Sequence, residues 1–300
     1  MIKPNANATP IDRRTFLASS ALAAVATATA KAGATATEDK PRLKKAFMLG
    51  GGVRKGKIRD QFQLLKDAGF EGVEVNSPSD MDPDEVLKAR DATGLIIHGV
   101  CDSAHWQDSF SDPDRNVVDR GIAAAKKAID DCKLYGGTTV LIVPAVVNKK
   151  TTPREAWTRS QAAIKTLVPH AEAAGVKLAI EEVWNKFLVG PMEFARYIDE
   201  FHSPAVGAYF DVGNIVEYGY PEQWIQELGS RILKVHVKEY AKPKRFDYEL
   251  GDGGEIDWPA VRRAFDAVGY HGWITAEVGG GDLNRFKDIV RRMDKVLGLA

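Results

Sequence analysis

The chain has 300 residues, 44% hydrophobic and 27% charged, the make-up of an ordinary soluble globular protein. Lys plus Arg and Asp plus Glu are equal at 41 each, so no net charge draws the chain to nucleic acid or to an anionic membrane. Its two cysteines, Cys101 and Cys132, supply neither a CxxC zinc site nor a disulfide framework and read as buried free thiols.

The first 36 residues differ in composition from the rest. Asp12 is their one acid; Arg13 and Arg14 follow, then Phe16 and Leu17 and an Ala/Thr-rich run. Ala28 and Ala30, or Ala34 and Ala36, have the spacing of an A-x-A cleavage site. The segment resembles a twin-arginine export signal, with Asp12 where Ser or Thr is usual. Its run of about 15 weakly hydrophobic residues is too short to span a bilayer comfortably. We expect a cleaved signal over residues 1–36 that engages the twin-arginine machinery, a mature domain over 37–300, and a periplasmic or otherwise exported protein with no membrane association after cleavage. The mature chain keeps 37 basic against 40 acidic residues, which is mildly acidic. The resemblance also implies export in the folded state, often with a cofactor already in place, so a metal site is worth seeking.

From Pro41 onward one unit repeats: an amphipathic helix, a glycine, then a short apolar strand. "FQLLKDAGFEGVEV", "DCKLYGGTTVLIV", "AEAAGVKLAI", "QELGSRILKVHV" and "FDAVGYHGWITAEV" all show it. Eight strands are predicted: Ala46–Leu49, Gly72–Asn76, Leu95–Gly99, Thr139–Pro144, Lys177–Glu182, Gly207–Asp211, Leu233–Lys238 and Trp273–Val278. Between them run helical segments, several opened by Asp, Ser, Thr or Pro, such as "TTPREAWTRSQAAIKTLVPHAEAA" and "DWPAVRRAFDAVG". Alternating strands and helices of this length predict a single-domain α/β (β/α)8 TIM barrel. An open doubly wound sheet is the alternative, but "LGGGVRKGK" lacks the G-x-G-x-x-G spacing after the first strand.

In such barrels the reactive groups sit where strands finish. The last four strands end "LAIEE", "AYFDVGN", "KVHVKEY" and "ITAEV", each with an oxygen or nitrogen ligand: Glu181 or Glu182, Asp211, His236 and Glu277. Alternation puts Lys234, His236 and Lys238 on one side of their strand and Val235 and Val237 on the other, and sets Thr275 and Glu277 opposite Ile274, Ala276 and Val278. Three carboxylates and an imidazole would repel one another without a cation. The set suits one divalent ion, Mn²⁺ best, with Mg²⁺, Co²⁺, Fe²⁺ or Zn²⁺ also compatible.

"GVKLAIEEVWNKFLVGPMEFARYIDE", "GAYFDVGN", "KVHVKEY", "GDGGEIDW" and "ITAEV" together resemble the xylose-isomerase-like superfamily of sugar phosphate isomerases and epimerases. That group includes D-tagatose 3-epimerase, L-ribulose-5-phosphate 3-epimerase, hydroxypyruvate isomerase and inosose dehydratase. The resemblance implies metal ligands at Glu181, Asp211, His236 and Glu277, with Glu181 and Glu277 also acting as acid and base on opposite faces of a sugar. Glu182, where many relatives have Asn, is the alternative ligand. Asn214 stands where the epimerases carry a substrate-binding His three residues after the metal Asp. His98, expected at the end of the third strand, and His105 and Trp106 just beyond it are candidate substrate contacts. So are Glu74, which could orient His98 or substrate, then Trp184, Asn185, Asn214 and Lys238. Glu239 could contact hydroxyls or balance charge, and "GDGGEIDW" reads as a turn shaping the loop before the seventh helix. Pairing into homodimers is common in the family.

The implied chemistry is proton abstraction beside the carbonyl of a ketose or related keto-sugar, through an enediolate stabilised by the cation. The same carbanion could expel a β-substituent, which makes a lyase or dehydratase acting on an oxidised sugar (a 3-keto-glycoside or an inosose) the alternative. A nuclease of the endonuclease IV type would need many histidines and a basic face, and this chain has six histidines. A non-catalytic sugar-binding barrel is a third reading, against which intact Glu181 and Glu277 weigh.

Overall fold

The structure is a computed structural model and describes residues 42–51, 56–242 and 244–299. The export-signal segment lies outside the described residues. Eight parallel strands close into a barrel, each paired to the next and the last to the first. They are β1 (Lys44–Met48), β2 (Gly72–Ser77), β3 (Ile96–Asp102), β4 (Thr139–Ile142), β5 (Lys177–Glu181), β6 (Val206–Asp211), β7 (Ile232–Val237) and β8 (Trp273–Ala276). A helix follows each: α1 (Ile58–Ala68), α2 (Pro83–Thr93), α3 (Arg115–Tyr135), α4 (Pro153–Ala174), α5 (Pro191–Asp199), α6 (Pro221–Leu228), α7 (Trp258–Ala267) and α8 (Leu283–Leu297). The chain is thus the (β/α)8 barrel its rhythm predicts.

Local chemistry sets the ends of these elements. At the start of α4 the Thr152 side chain accepts from Glu155 N–H while the Glu155 carboxylate accepts from Thr152 N–H, and Pro153 fills the first turn. The helix ends where Gly175 takes φ 72°, a left-handed conformation that costs a residue with a Cβ more. Along β7, Val235 and Val237 are fully buried toward the helices while Lys234 and His236 point into the barrel. The outward residues join the helices in the main core, and Cys101, Leu141, Val143, Ala179 and Tyr209 form a smaller apolar cluster inside the barrel.

Two boundaries differ from expectation in ways that matter to the site. β3 was expected to stop at Gly99, but it stays paired with β2 as far as Ser77↔Asp102. β8 ends at Ala276, so Glu277 stands on the first residue beyond it. The β2–β3 register shifts between Val73 and Glu74, and the β6–β7 register between Ala208 and Tyr209. Such irregularities re-aim side chains. Here Glu74 and Tyr209 meet inside the barrel, with the Tyr209 hydroxyl donating to Glu74 Oε2 at 2.5 Å.

Candidate metal centre

The tips of the last four strands bring Glu181, Asp211, His236 and Glu277 together, with one potential ligand atom from each lying within 4.8 Å of the others. His236 Nδ1 is 3.1 Å from Glu181 Oε1, 3.5 Å from Glu277 Oε2 and 3.9 Å from Asp211 Oδ2. The turn leaving β6 holds Asp211 in place: the N–H groups of Gly213 and Asn214 each donate to its Oδ1 at 2.8 Å. Gly213 is required there because a Cβ would lie 2.6 Å from Lys238 Cγ. Asp211 Oδ2 is left facing the cluster, buried and without a hydrogen bond, although Lys238 Nζ stands 3.0 Å away. Three carboxylates and an imidazole that share a single ammonium, Lys238, are a donor set that a divalent cation would satisfy. This buried four-residue site can hold a metal ion.

The charges within it are strongly perturbed. Burial pushes Glu181 up to about 7, against the pull of His236. Burial also raises Glu277, but Lys238 Nζ at 2.6 Å and the nearby His236 outweigh it and hold that carboxyl well below the usual range. His236 moves the other way. Burial disfavours its charged form, yet Glu74 and the bonds to Glu181 and Glu277 hold it well above the usual imidazole range.

Beneath this cluster lies a polar layer. His236 Nε2 donates to Glu74 Oε1 at 3.1 Å, and the Tyr209 hydroxyl that binds Glu74 is also 3.3 Å from Thr275 Oγ1. Thr275 Oγ1 in turn shares a 3.1 Å hydrogen bond with His98 Nε2. Glu74 therefore orients His236 and not His98. Because β3 continues past Gly99, His98 stacks on Trp273 inside the barrel, with ring centroids 4.9 Å apart, and does not line the mouth. Its expected role as a substrate contact is not supported by this placement.

Above the cluster opens a cavity of about 270 Å³, lined among others by Glu181, Glu277, Lys238, His105, Trp106, Trp184 and Asn214. Trp106 is 54% exposed at the rim, and burial brings the His105 imidazole down to about 4, so it is neutral. Asn214 also stitches two loops together: its Nδ2 donates to Glu182 O, and its carbonyl accepts from Trp184 Nε1. Asn185 does not reach the cavity. Its amide is spent on Ala145 O and Phe187 N–H, which fixes the loop after β5 against the loop after β4. Glu182 points away from the cluster, as strand alternation demands after Glu181, and its Oε1 accepts from Asp211 N–H at 2.8 Å. Burial first, then the charges of Glu181 and Asp211, hold Glu182 well above the usual carboxylate range. Glu239 is an anchor inside the fold, accepting from Gly251 N–H and Trp258 Nε1 and so shaping the "GDGGEIDW" turn.

Three residues of this neighbourhood were not singled out from sequence. Asp102 ends β3 fully buried, its Oδ2 unpartnered and its carboxyl raised by burial to about 7. The strand-end rule that found the other acids would have found it had β3 been drawn to its full length. Tyr209 read as an ordinary strand residue and Thr275 only as sharing the polar side with Glu277, and barrel closure reveals their partners.

Residues 62–296 match the family described as xylose isomerase-like TIM barrel. The candidate L-ribulose-5-phosphate 3-epimerase SgbU of Escherichia coli (strain K12) is 25% identical over 240 residues, covering 73% of this chain and 82% of its own. The L-ribulose 3-epimerase of Mesorhizobium japonicum (strain LMG 29417 / CECT 9101 / MAFF 303099) is 26% identical over 215 residues, covering 68% and 70%. Among solved structures, the IolI protein with a bound zinc atom superposes with a TM-score of 0.71 at 17% identity, covering 85% of this chain and 98% of its own.

Proposed function

Because the chain belongs to the xylose isomerase-like TIM barrel family, we propose that it is a divalent-metal-dependent sugar isomerase or epimerase acting on a ketose or related keto-sugar. The observation that carries this reading is the convergence of Glu181, Asp211, His236 and Glu277 at the floor of a sugar-sized cavity. Of the two curated relatives above, one is named an L-ribulose 3-epimerase and the other a candidate L-ribulose-5-phosphate 3-epimerase, which supports it.

A cation held by these four side chains would supply electrophilic stabilisation of negative charge developing on the substrate oxygen. We favour Mn²⁺ for its fit to three carboxylates and one imidazole, while IolI shows zinc accepted on this fold. Glu181 and Glu277 move the proton. One takes it from the carbon beside the carbonyl, and the other returns it to the opposite face or to the adjacent carbon. The reaction is reversible, so each carboxylate serves as base in one direction and acid in the other. Lys238 keeps Glu277 ionised between turnovers. Trp106 and Trp184 supply apolar walls that displace water from the ring.

The deciding experiment is proton NMR of the Mn²⁺-loaded protein in D₂O with a panel of free ketoses and keto-glycosides. Deuterium appearing beside the carbonyl with a new stereoisomer or aldose is expected. Exchange accompanied by loss of water or of an aglycone would instead make the protein a lyase, and metal binding with no exchange on any sugar would sink the catalytic reading.

A further inference from the structure

We propose that the active-site mouth continues into a second carbohydrate subsite, so that the preferred substrate is an uncharged two-ring keto-sugar. Its reacting ring would sit above the four-residue cluster and its second ring against Phe246, Tyr248 and Arg285. The inference rests on the isomerase/epimerase reading of the inner cavity.

Beside the inner cavity lies a larger one of about 550 Å³. Met48, Lys238, Phe246 and Glu277 line both, so the two abut across these side chains. Ligand pockets generally run from roughly 300 to 1,000 Å³, which puts the inner space at the small end and makes the outer one ligand-sized by itself.

The outer space is built from a pinned loop. Its base is Glu239, 1% exposed, which accepts from Gly251 N–H at 2.7 Å and Trp258 Nε1 at 2.9 Å. A tight bridge between Ala241 and Arg245 then presents Phe246, whose ring lies 4.9 Å from Lys238 Nζ and 4.9 Å from the Trp184 ring. On the far side, Arg285 at the start of α8 bonds Glu249 Oε2 at 2.6 Å and Gly279 O at 3.1 Å, while Arg292 donates to Leu250 O. Both ends of the loop are tied down, so the cleft exists before any ligand arrives.

Its lining selects the occupant. An aromatic face at Phe246 and a phenol at Tyr248 suit the apolar and hydroxylated sides of a sugar ring. A phosphate would meet the carboxylates of Asp247 and Glu249. The cations among the described lining residues, Lys238 and Arg285, are both already paired with carboxylates. Among the described lining residues, these charges favour a neutral second ring over an anionic group.

The test compares matched one-ring and two-ring sugars on the metal-loaded protein: D-fructose against palatinose and maltulose, methyl 3-keto-glucoside against 3-ketosucrose, and D-fructose 6-phosphate as the charged control. Calorimetry reads binding, and deuterium exchange reads chemistry. At least one two-ring sugar should bind roughly tenfold more tightly than its one-ring partner. Tyr248→Ala should shrink that ratio by at least half, and Tyr248→Phe, which keeps the ring, should retain most of it. Equal affinities within each pair, or tighter binding of the phosphate than of every two-ring sugar, would overturn the subsite. Exchange into one-ring sugars with no two-ring preference leaves the epimerase reading standing without the subsite. Two-ring preference without exchange does the reverse, and failure of every sugar to bind overturns both.

Discussion

His236 is held between two carboxylates, with Nε2 3.1 Å from Glu74 Oε1 and Nδ1 3.1 Å from Glu181 Oε1. Only the Glu181 side faces the ligand cluster. With Nε2–H committed to Glu74, the nitrogen left for a cation is Nδ1, and the outer carboxylate sets both tautomer and ring angle. Glu74→Gln keeps the shape and removes the charge, so divalent-metal affinity should fall about 10- to 100-fold. Chelator-competition titration measures this, and an unchanged affinity would mean that packing alone orients the ring.

Glu181 and Glu182 are neighbours with opposite fates. Saturating Mn²⁺ should raise the melting temperature of the wild type by several degrees, since a ligand at about 100 times its Kd adds ~2.7 kcal/mol. Glu181→Gln should abolish most of that shift. Glu182→Gln should retain it, because that side chain lies outside the ligand cluster and faces Asp211 N–H. Differential scanning fluorimetry with and without EDTA distinguishes the two, and equal loss in both variants would make Glu182 a ligand.

Asp102 gives a pH signature. Burial raises its carboxyl from the ordinary 3.8 to about 7, so between those pH values the native state holds a proton that the unfolded chain releases. A raised folded pKa means that its contribution to stability is fully present below about pH 4 and is lost as pH rises through about 7. Asp102→Asn should therefore gain stability over the wild type as pH climbs through that window and level off above it, by ~2–4 kcal/mol at 1.36 kcal/mol per unit. Urea denaturation at pH 4.5, 6 and 8 reads the difference; a pH-independent gap would show that Asp102 ionises freely.

If residues 1–36 act as the export signal they resemble, changing Arg13 and Arg14 together to Lys should leave the precursor uncleaved inside the cell. Cell fractionation with mass spectrometry of the N-terminus checks this. Unaltered export would move the targeting information elsewhere in the chain.

Much of this protein was legible before any fold was drawn. Glycine stops such as Gly175, caps such as Thr152 with Glu155, and the period-2 pattern of "KVHVK" are local features, each set by the backbone and side-chain chemistry of a few adjacent residues. They were enough to give eight strands, a closed barrel and four strand tips carrying Glu181 or Glu182, Asp211, His236 and Glu277. What they could not give depends on groups far apart in the chain. The length of β3 depends on its pairing with β2 out to Asp102, and that pairing takes His98 from the mouth into the interior. Glu74 and His236 stand 162 positions apart, and Tyr209 meets Glu74, 135 positions away, where the strand registers shift beside both residues. Which of two adjacent glutamates faces the cluster is decided by the strand's register in the closed barrel, and how far burial shifts a carboxyl's ionisation by desolvation and by charges from other strands. Those quantities take values only once the barrel has closed around them.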